Sequence, residues 1–374
     1  MPVGGWLRAV AVVALVLAAA VVPGRARAAA AGCDHVVGPF HQAKAQIWQA
    51  DGRLFVPRGI TVSGLEHPNW ADYVARDDDQ IRAAAAAWCA NVVRLQVGQW
   101  NLNNSPGFVR AMRAEVGYAE RLRLAVVIND QAEWDPTSDP MPTDASKTFW
   151  RTVAPMYARD PLVIFDAFNE PSLGSWACWH DGGAACPRPG FTGMQALAAL
   201  IRRHAPNLIW VDGPSVATTL TRTGGTARTV QLGAATLAGV QSWPITGVQP
   251  RAYSIHHPGG PHTEANWTAK FGYLAAQRIA PVVVGETTQW AAARAECWSD
   301  APSRYPAYLD YLARLHIGAT AWSLDPGVLV GTRPTQPTGF GVRSQWKCVN
   351  AVDPADNHSA GKKIKAWYER LSRR

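Results

Sequence analysis

Past residue 30 the chain has no apolar run long enough to span a bilayer, no C-x-x-C, no H-E-x-x-H and no cluster of basic residues. The first absence leaves the body of the protein without a transmembrane candidate, which would need about 20 mostly apolar residues in a row. Without C-x-x-C there is neither a zinc ribbon nor a thioredoxin-like redox pair. Without H-E-x-x-H or another helical His pair, the usual zinc-hydrolase arrangement is missing. Lys and Arg outnumber Asp and Glu by 36 to 28, a net charge of +8. They are scattered, so the excess reads as surface charge with no nucleic-acid footprint. A linker is also missing. With 48% apolar and 17% charged residues among 374, the chain can bury one large core.

The long apolar run that does exist lies at the start. Arg8 supplies a positive n-region, residues 9–22 an apolar h-region and Ala26-Arg27-Ala28 a small-residue cleavage site. This is the pattern of a secretory signal. The expectation is a secreted, extracellular protein: signal peptide 1–28, then a single domain over 29–374, monomeric and without stable membrane insertion after cleavage. An uncleaved anchor is the alternative. Cleavage removes three arginines and no acid, so +8 becomes +5 (8 − 3). All six cysteines, Cys33, Cys89, Cys178, Cys186, Cys297 and Cys348, fall after the cleavage site. An even count in an exported chain points to disulfides, although spacing alone leaves the connectivity open.

Short apolar runs alternate with helical stretches. Strands are expected at 54–62, 91–97, 122–129, 162–168, 208–212, 252–256, 281–286 and 318–324. Helices are expected at 77–89, 108–118, 147–157, 191–204, 264–278, 305–316 and 360–371. Asp77, Asp78 and Asp79 suit a helix N-terminus. Near-continuous apolar strands separated by helices imply a parallel sheet covered on its faces. At this length the expected fold class is α/β, a (β/α)8 TIM barrel. The runner-up, an open doubly wound sheet, would want a Gly-rich phosphate loop after its first strand, and Thr61-Val62-Ser63-Gly64-Leu65 is not one. Ahead of that strand, residues 45–56 with Asp51-Gly52 read as a short β-hairpin capping the barrel floor.

In such a barrel the chemistry sits where strands end. The predicted ends carry Arg94, Asn129-Asp130 with Glu133-Trp134, Asn169-Glu170, Asp212, His256-His257, Glu286 and Trp322. Glu170 and Glu286 end strands four and seven, across the mouth from each other. Glycoside hydrolysis needs such a pair: one carboxylic acid protonates the leaving oxygen, and the other attacks, or activates water at, the anomeric carbon. An Arg beside the second would keep it ionised, and Arg94 on strand two is the candidate.

Asn169-Glu170-Pro171 after an apolar strand, then Val282-Val283-Val284-Gly285-Glu286, resembles glycoside hydrolase family 5, the cellulase-like group within the retaining (β/α)8 barrel glycosidases. Val92-Val93-Arg94-Leu95, Tyr253-Ser254-Ile255-His256 and Ala321-Trp322-Ser323 follow the family order, from about Gly52 to Leu324. The resemblance implies Glu170 as acid/base and Glu286 as nucleophile. It implies Asn169 on the sugar 2-hydroxyl, Arg94 buttressing the nucleophile, His256 near it and Trp322 under the reacting sugar. The substrate would be an oligo- or polysaccharide, a β-linked glucan, mannan or related glycan, cleaved by double displacement with no cofactor. Two departures stand out. Strand three ends Ile128-Asn129-Asp130-Gln131 where the family usually places a His, and Pro258 stands where an aromatic is expected.

Seventeen tryptophans are a heavy load. Trp134 and Trp290, in predicted loops at the mouth, are candidate sugar platforms, with Trp100, Trp176, Trp179 and Trp243 nearby; Trp48, Trp88 and Trp150 serve equally well as core. The run His256 to His262 is rich in Pro and Gly, reads as loop, and is assigned no metal. From proximity in the barrel, Cys178–Cys186 would stiffen the loop after Glu170. Cys297–Cys348 would join two loops at the rim, and Cys33–Cys89 would tie the floor. Three other readings stay open: a transglycosylase on this scaffold, an inactive carbohydrate-binding barrel, and a metal-dependent hydrolase built on His256, His257 and Asp212.

Overall fold

A computed structural model describes Met1 and residues 33–132, 138–173, 175–221, 239–256, 258, 262–287, 301–324, 329 and 360–373. Eight strands run parallel and close on themselves. In chain order they are β1 (Arg58–Val62), β2 (Val92–Gly98), β3 (Ala125–Gln131), β4 (Val163–Asp166), β5 (Ile209–Asp212), β6 (Arg251–Ile255), β7 (Val282–Thr287) and β8 (Ala319–Ala321). Each pairs with the next, and β8 pairs back to β1. The (β/α)8 barrel is therefore as expected, with strands one and eight shorter than the sequence pattern indicated.

Successive side chains on a strand face opposite ways, and the core divides accordingly. Val93, Leu95, Val126, Ile128, Val163, Phe165, Ile209 and Val211 join helical residues such as Ile81, Met112, Val153 and Leu197 in one large apolar cluster. That is the shell between barrel and helices. Val92, Ala125, Val127, Ile164, Leu208, Trp210, Ala252 and Val283 form a second cluster with Phe40, Ile47 and Phe55. That is the barrel's inner floor, closed from below by the N-terminal segment. Further along the same inward rows the residues turn polar: Arg94 and Gln96, Asn129, Asp166, Asp212, Ser254 and His256, every one buried.

The floor is capped by a two-stranded antiparallel sheet, His41–Ala43 with Gln46–Trp48. Its turn is Lys44-Ala45, earlier than the Asp51-Gly52 position expected. Asp51-Gly52 makes the next bend, with Gly52 at φ +83°, and returns the chain to an isolated Trp48–Leu54 bridge. Cys33 is bonded to Cys89, and Arg58 pairs with Asp34, fastening this strap to the barrel. Among the described residues no helix is long and apolar enough to cross a membrane.

The helices keep their expected order with shifted ends: Val74–Ala87, Phe108–Arg121, Asp144–Met156, Met194–His204, Ala301–Arg314 and Ala360–Ser372. The helix expected over 264–278 is broken into Glu264–Trp267, a wide π-turn over Thr268–Gly272, and Tyr273–Ala276. Two short helices that periodicity did not signal, Gln99–Asn104 and Trp176–Asp181, stand on the mouth side after β2 and β4.

Candidate active site

The inward row of β2 lifts Arg94 from the apolar floor into the mouth, where it is wholly buried. Its guanidinium fork reaches three residues at the ends of two other strands, β4 and β7. Nε donates to Asp166 Oδ2 at 2.8 Å, Nη1 to Glu286 Oε1 at 2.6 Å and Nη2 to Asn169 Oδ1 at 2.7 Å. A rigid planar fork with fixed donors is suited to setting such relative positions. Burial works against the charge on Arg94, but Asp166, Glu286 and Asp212 outweigh it and keep the group cationic. One inward step further, Gln96 donates to the same Glu286 Oε1 at 3.1 Å and accepts from Trp322 Nε1 at 3.4 Å.

His256, the first residue after β6, organises the other half. Its Nδ1 lies 2.7 Å from Glu170 Oε1, and its Nε2 lies 3.2 Å from Asp212 Oδ2. Burial disfavours the imidazolium, yet Asp212 and Glu286 raise its pKa well above the ordinary histidine value. Nδ1 is within hydrogen-bonding distance of Glu170, and Nε2 makes an ion-pair contact with Asp212. The ring fits because residue 285 is Gly. A Cβ there would lie 2.4 Å from Ser254 Oγ and 2.7 Å from His256 Nε2. Gly285 in Val282–Thr287 is thus a packing requirement of the site.

Glu170 stands at φ +47°, a left-handed conformation that costs a non-glycine residue about 1–3 kcal/mol and tends to occur where function demands it. Its N–H donates to Asp212 Oδ2 at 3.0 Å. Burial pushes the Glu286 carboxyl above the ordinary range; His256 and Arg94 pull it back, while Glu170 and Asp212 add to the rise. Burial, then the Asp212 charge, raise Asp166 to about 7 against Arg94. Asp212 is also pushed up by burial, but His256 overrides this and holds it at about 2.

The two glutamates therefore meet. Ligand-capable atoms of Glu170, His256 and Glu286 all lie within 4.8 Å of one another. A spacing of that order between two carboxyl groups, about 5–5.5 Å, is what a retaining displacement uses. The same trio has metal-ligand types, but His256 Nδ1, the nitrogen that faces the two glutamates, is already 2.7 Å from Glu170 Oε1. The cluster is wired to hold protons.

Arg94, Asn169, Glu170, His256, Glu286 and Trp322 are brought together as anticipated, with Trp322 half-buried and linked through Gln96. Trp134, Trp290, His257, Cys297 and Cys348 lie outside the described residues. Cys178–Cys186 is bonded. Trp176 and Trp179 in its loop are buried edge to face at 5.1 Å and pack in the large apolar cluster. Trp179 Nε1 donates to the Asp212 carbonyl at 2.9 Å. Trp100 is exposed on the short helix after β2. Gln96 and Asp166 were missed. Their signal lay in the inward period of two, because Gln96 falls two residues from Arg94 and Asp166 two residues from Ile164, which the structure places on the inner floor.

Comparisons with known proteins give a family and a fold. The family model described as Cellulase (glycosyl hydrolase family 5) matches residues 50–327. An endoglucanase of Halalkalibacter akibai is 25% identical over 170 residues, 42% of this chain and 20% of that protein. The chain thus spans about a fifth of the length of that curated relative. A β-glucanase of Saccharophagus degradans superposes with a TM-score of 0.63 at 16% identity, over 90% of this chain and 93% of its own. The catalytic domain of a Thermobifida fusca endoglucanase gives 0.59 at 19%, over 89% and 97%. At these identities the structural likeness is one of fold.

Proposed function

The chain belongs to glycosyl hydrolase family 5, and from that premise we propose that it is a secreted retaining glycosidase that hydrolyses a β-linked glucan with Glu286 as nucleophile and Glu170 as acid/base. The observation that carries this reading is the approach of the two carboxylates to within 4.8 Å at the barrel mouth. Arg94 and Gln96 both donate to Oε1 of Glu286, which leaves Oε2 to attack the anomeric carbon. As that bond forms, the bond to the leaving oxygen breaks, and Glu170 gives that oxygen a proton. In the second step Glu170 takes a proton from water, the water oxygen attacks the anomeric carbon, and Glu286 departs as carboxylate. Asn169, fixed by Arg94 Nη2 and by its own N–H on the Asp130 carbonyl at 2.9 Å, is placed to hold the sugar 2-hydroxyl. Trp322 supplies an apolar face beneath the ring.

A glucan is favoured because one structural relative, the Saccharophagus degradans β-glucanase, has been seen with cellotetraose and the curated relative is an endoglucanase. Export through a signal at 1–28 and a single catalytic domain over 29–374 belong to the same reading, supported by two disulfides, which persist in oxidising compartments. The decisive test is azide rescue. A Glu286→Gly variant, inactive on aryl β-cellobiosides, should regain turnover with azide and yield the α-glycosyl azide of inverted configuration. Hydrolysis that survives both Glu170→Gln and Glu286→Gln would overturn the mechanism.

A further inference from the structure

The chain leaving β5 makes an unusual number of bonds to the two residues that handle the proton. Asp212 is fully buried. Its Oδ2 accepts the Glu170 N–H at 3.0 Å and lies 3.2 Å from His256 Nε2, while His256 Nδ1 lies 2.7 Å from Glu170 Oε1. These three contacts form a closed ring, so the backbone and the side chain of Glu170 are tied to one carboxylate, one directly and one through the imidazole. Behind Asp212 the chain makes a left-handed turn at Ser215, Val216 and Ala217, with φ of 59°, 53° and 52°. The turn reaches His256 and the residue next to Glu170. Val216 N–H donates to the carbonyl of Pro171, next to Glu170, at 3.0 Å, and the Ala217 carbonyl accepts the His256 N–H at 2.8 Å. Trp179 steadies the arrangement through its Nε1 on the Asp212 carbonyl.

We propose that Asp212, with the left-handed turn behind it, is the positioning element for the acid/base, holding the Glu170 carboxyl where it meets the leaving oxygen. This rests on the reading of Glu170 as acid/base. A carboxylate present only for stability needs one buried partner. Asp212 contacts both members of the proton-handling pair, and three consecutive non-glycine residues in the left-handed region bind His256 and Pro171, the neighbour of Glu170, a second time. Asp212 is fully buried against Glu170 and His256, so its effect must pass through them.

The test compares substrates that do and do not need a proton on the leaving group. Asp212→Asn, which keeps an acceptor oxygen but no charge, and Asp212→Ala, which keeps neither, are assayed on cellotetraose and on 2,4-dinitrophenyl β-cellobioside. A positioned general acid contributes about 10²–10⁴-fold. The Ala variant should therefore lose about 100-fold in kcat/KM on cellotetraose and less than about 10-fold in kcat/KM on the dinitrophenyl substrate, with Asn between; kcat/KM reports the first displacement, whereas the water step, which also uses Glu170, is common to both substrates. Equal losses on both substrates, or no loss, overturn the proposal. If the Ala variant does not fold, the isosteric Asn variant decides by the same criterion. Glu170→Ala on the same pair keeps the two readings apart. If it spares the dinitrophenyl substrate while the Asp212 variants do not, Glu170 keeps its role and Asp212 loses its own. If it damages both substrates equally, the acid/base assignment falls and takes the proposal with it.

Discussion

Inside the barrel Val92 sits one inward step below Arg94, Ile164 below Asp166, Trp210 below Asp212 and Ala252 below Ser254. The strands, the period and the burial are the same. At the floor the inward row packs carbon on carbon, and the gain comes from apolar area removed from water. At the mouth Asp166, Asp212 and Glu286 are buried beside the half-buried Glu170, against one guanidinium and one imidazole, each charge taken from water at a cost that only good geometry offsets. The floor should therefore govern stability and the mouth activity. Glu286→Gln tests this most strongly. Loss of a nucleophile costs about 10⁴-fold or more in kcat, and the thermal midpoint should hold or rise, because a buried acid has been neutralised. A collapse in stability would show that the mouth also holds the fold together.

Ile164→Ala asks the converse question of the floor. Deleting a fully buried Ile costs about 2–5 kcal/mol, read as a lower guanidinium midpoint, while the protein that remains folded keeps its kcat. A large kcat loss at unchanged stability would mean that floor packing sets the positions of the residues above it.

Arg94→Gln lies between the two regions in effect. Losing a charged hydrogen bond of about 1.5–3 kcal/mol should slow turnover about 10–100-fold. It should also move the pH profile in a determined direction. Glu286 must be ionised to attack. Burial has already raised its pKa, and Arg94 is one of the two charges pulling it back. Without Arg94 that pKa rises further, so the acid limb of kcat/KM, where activity is lost as pH falls, moves to higher pH. A limb that stays in place or moves lower would show that Arg94 does not set the charge on Glu286.

The same contrast explains what could be read from sequence. Apolar strands ending in Arg, Glu, His or Asn announce themselves because those residue types are costly to bury, and so Arg94, Glu170, His256 and Glu286 were legible. Gln96 and Asp166 sit within apolar runs and become visible only once the inward face is known. The cap was placed too late because Asp51-Gly52 carries the stronger turn signal, whereas the true hairpin turns at Lys44, φ +56°, with no glycine. The break in 264–278 depends on a partner far along the chain, Tyr311, whose hydroxyl meets Thr268 Oγ1 at 2.9 Å. Asp212 was noticed as a strand end and a possible metal ligand. Its place in a ring of polar contacts depends on three chain segments converging, which no local pattern records.

The turn at Ser215, Val216 and Ala217 was illegible for the same reason, and it gives the smallest effect and the one of opposite sign. Nothing in Ser-Val-Ala favours φ above zero, and a β-branched residue there is an outlier. The left-handed conformation costs an L-residue about 1–2 kcal/mol. Glycine would remove that cost at position 216 and give back about 0.5–1 kcal/mol in chain entropy. The Val216 side chain is 42% exposed, so little packing is lost, and the N–H donated to Pro171 remains. Val216→Gly should therefore stabilise the protein by about 0.5 kcal/mol, seen as a small rise in thermal midpoint, where a glycine substitution within a regular helix or strand would lower it. A fall instead would mean that the Val side chain anchors the turn, and that the mouth draws part of its order from apolar packing as the floor does.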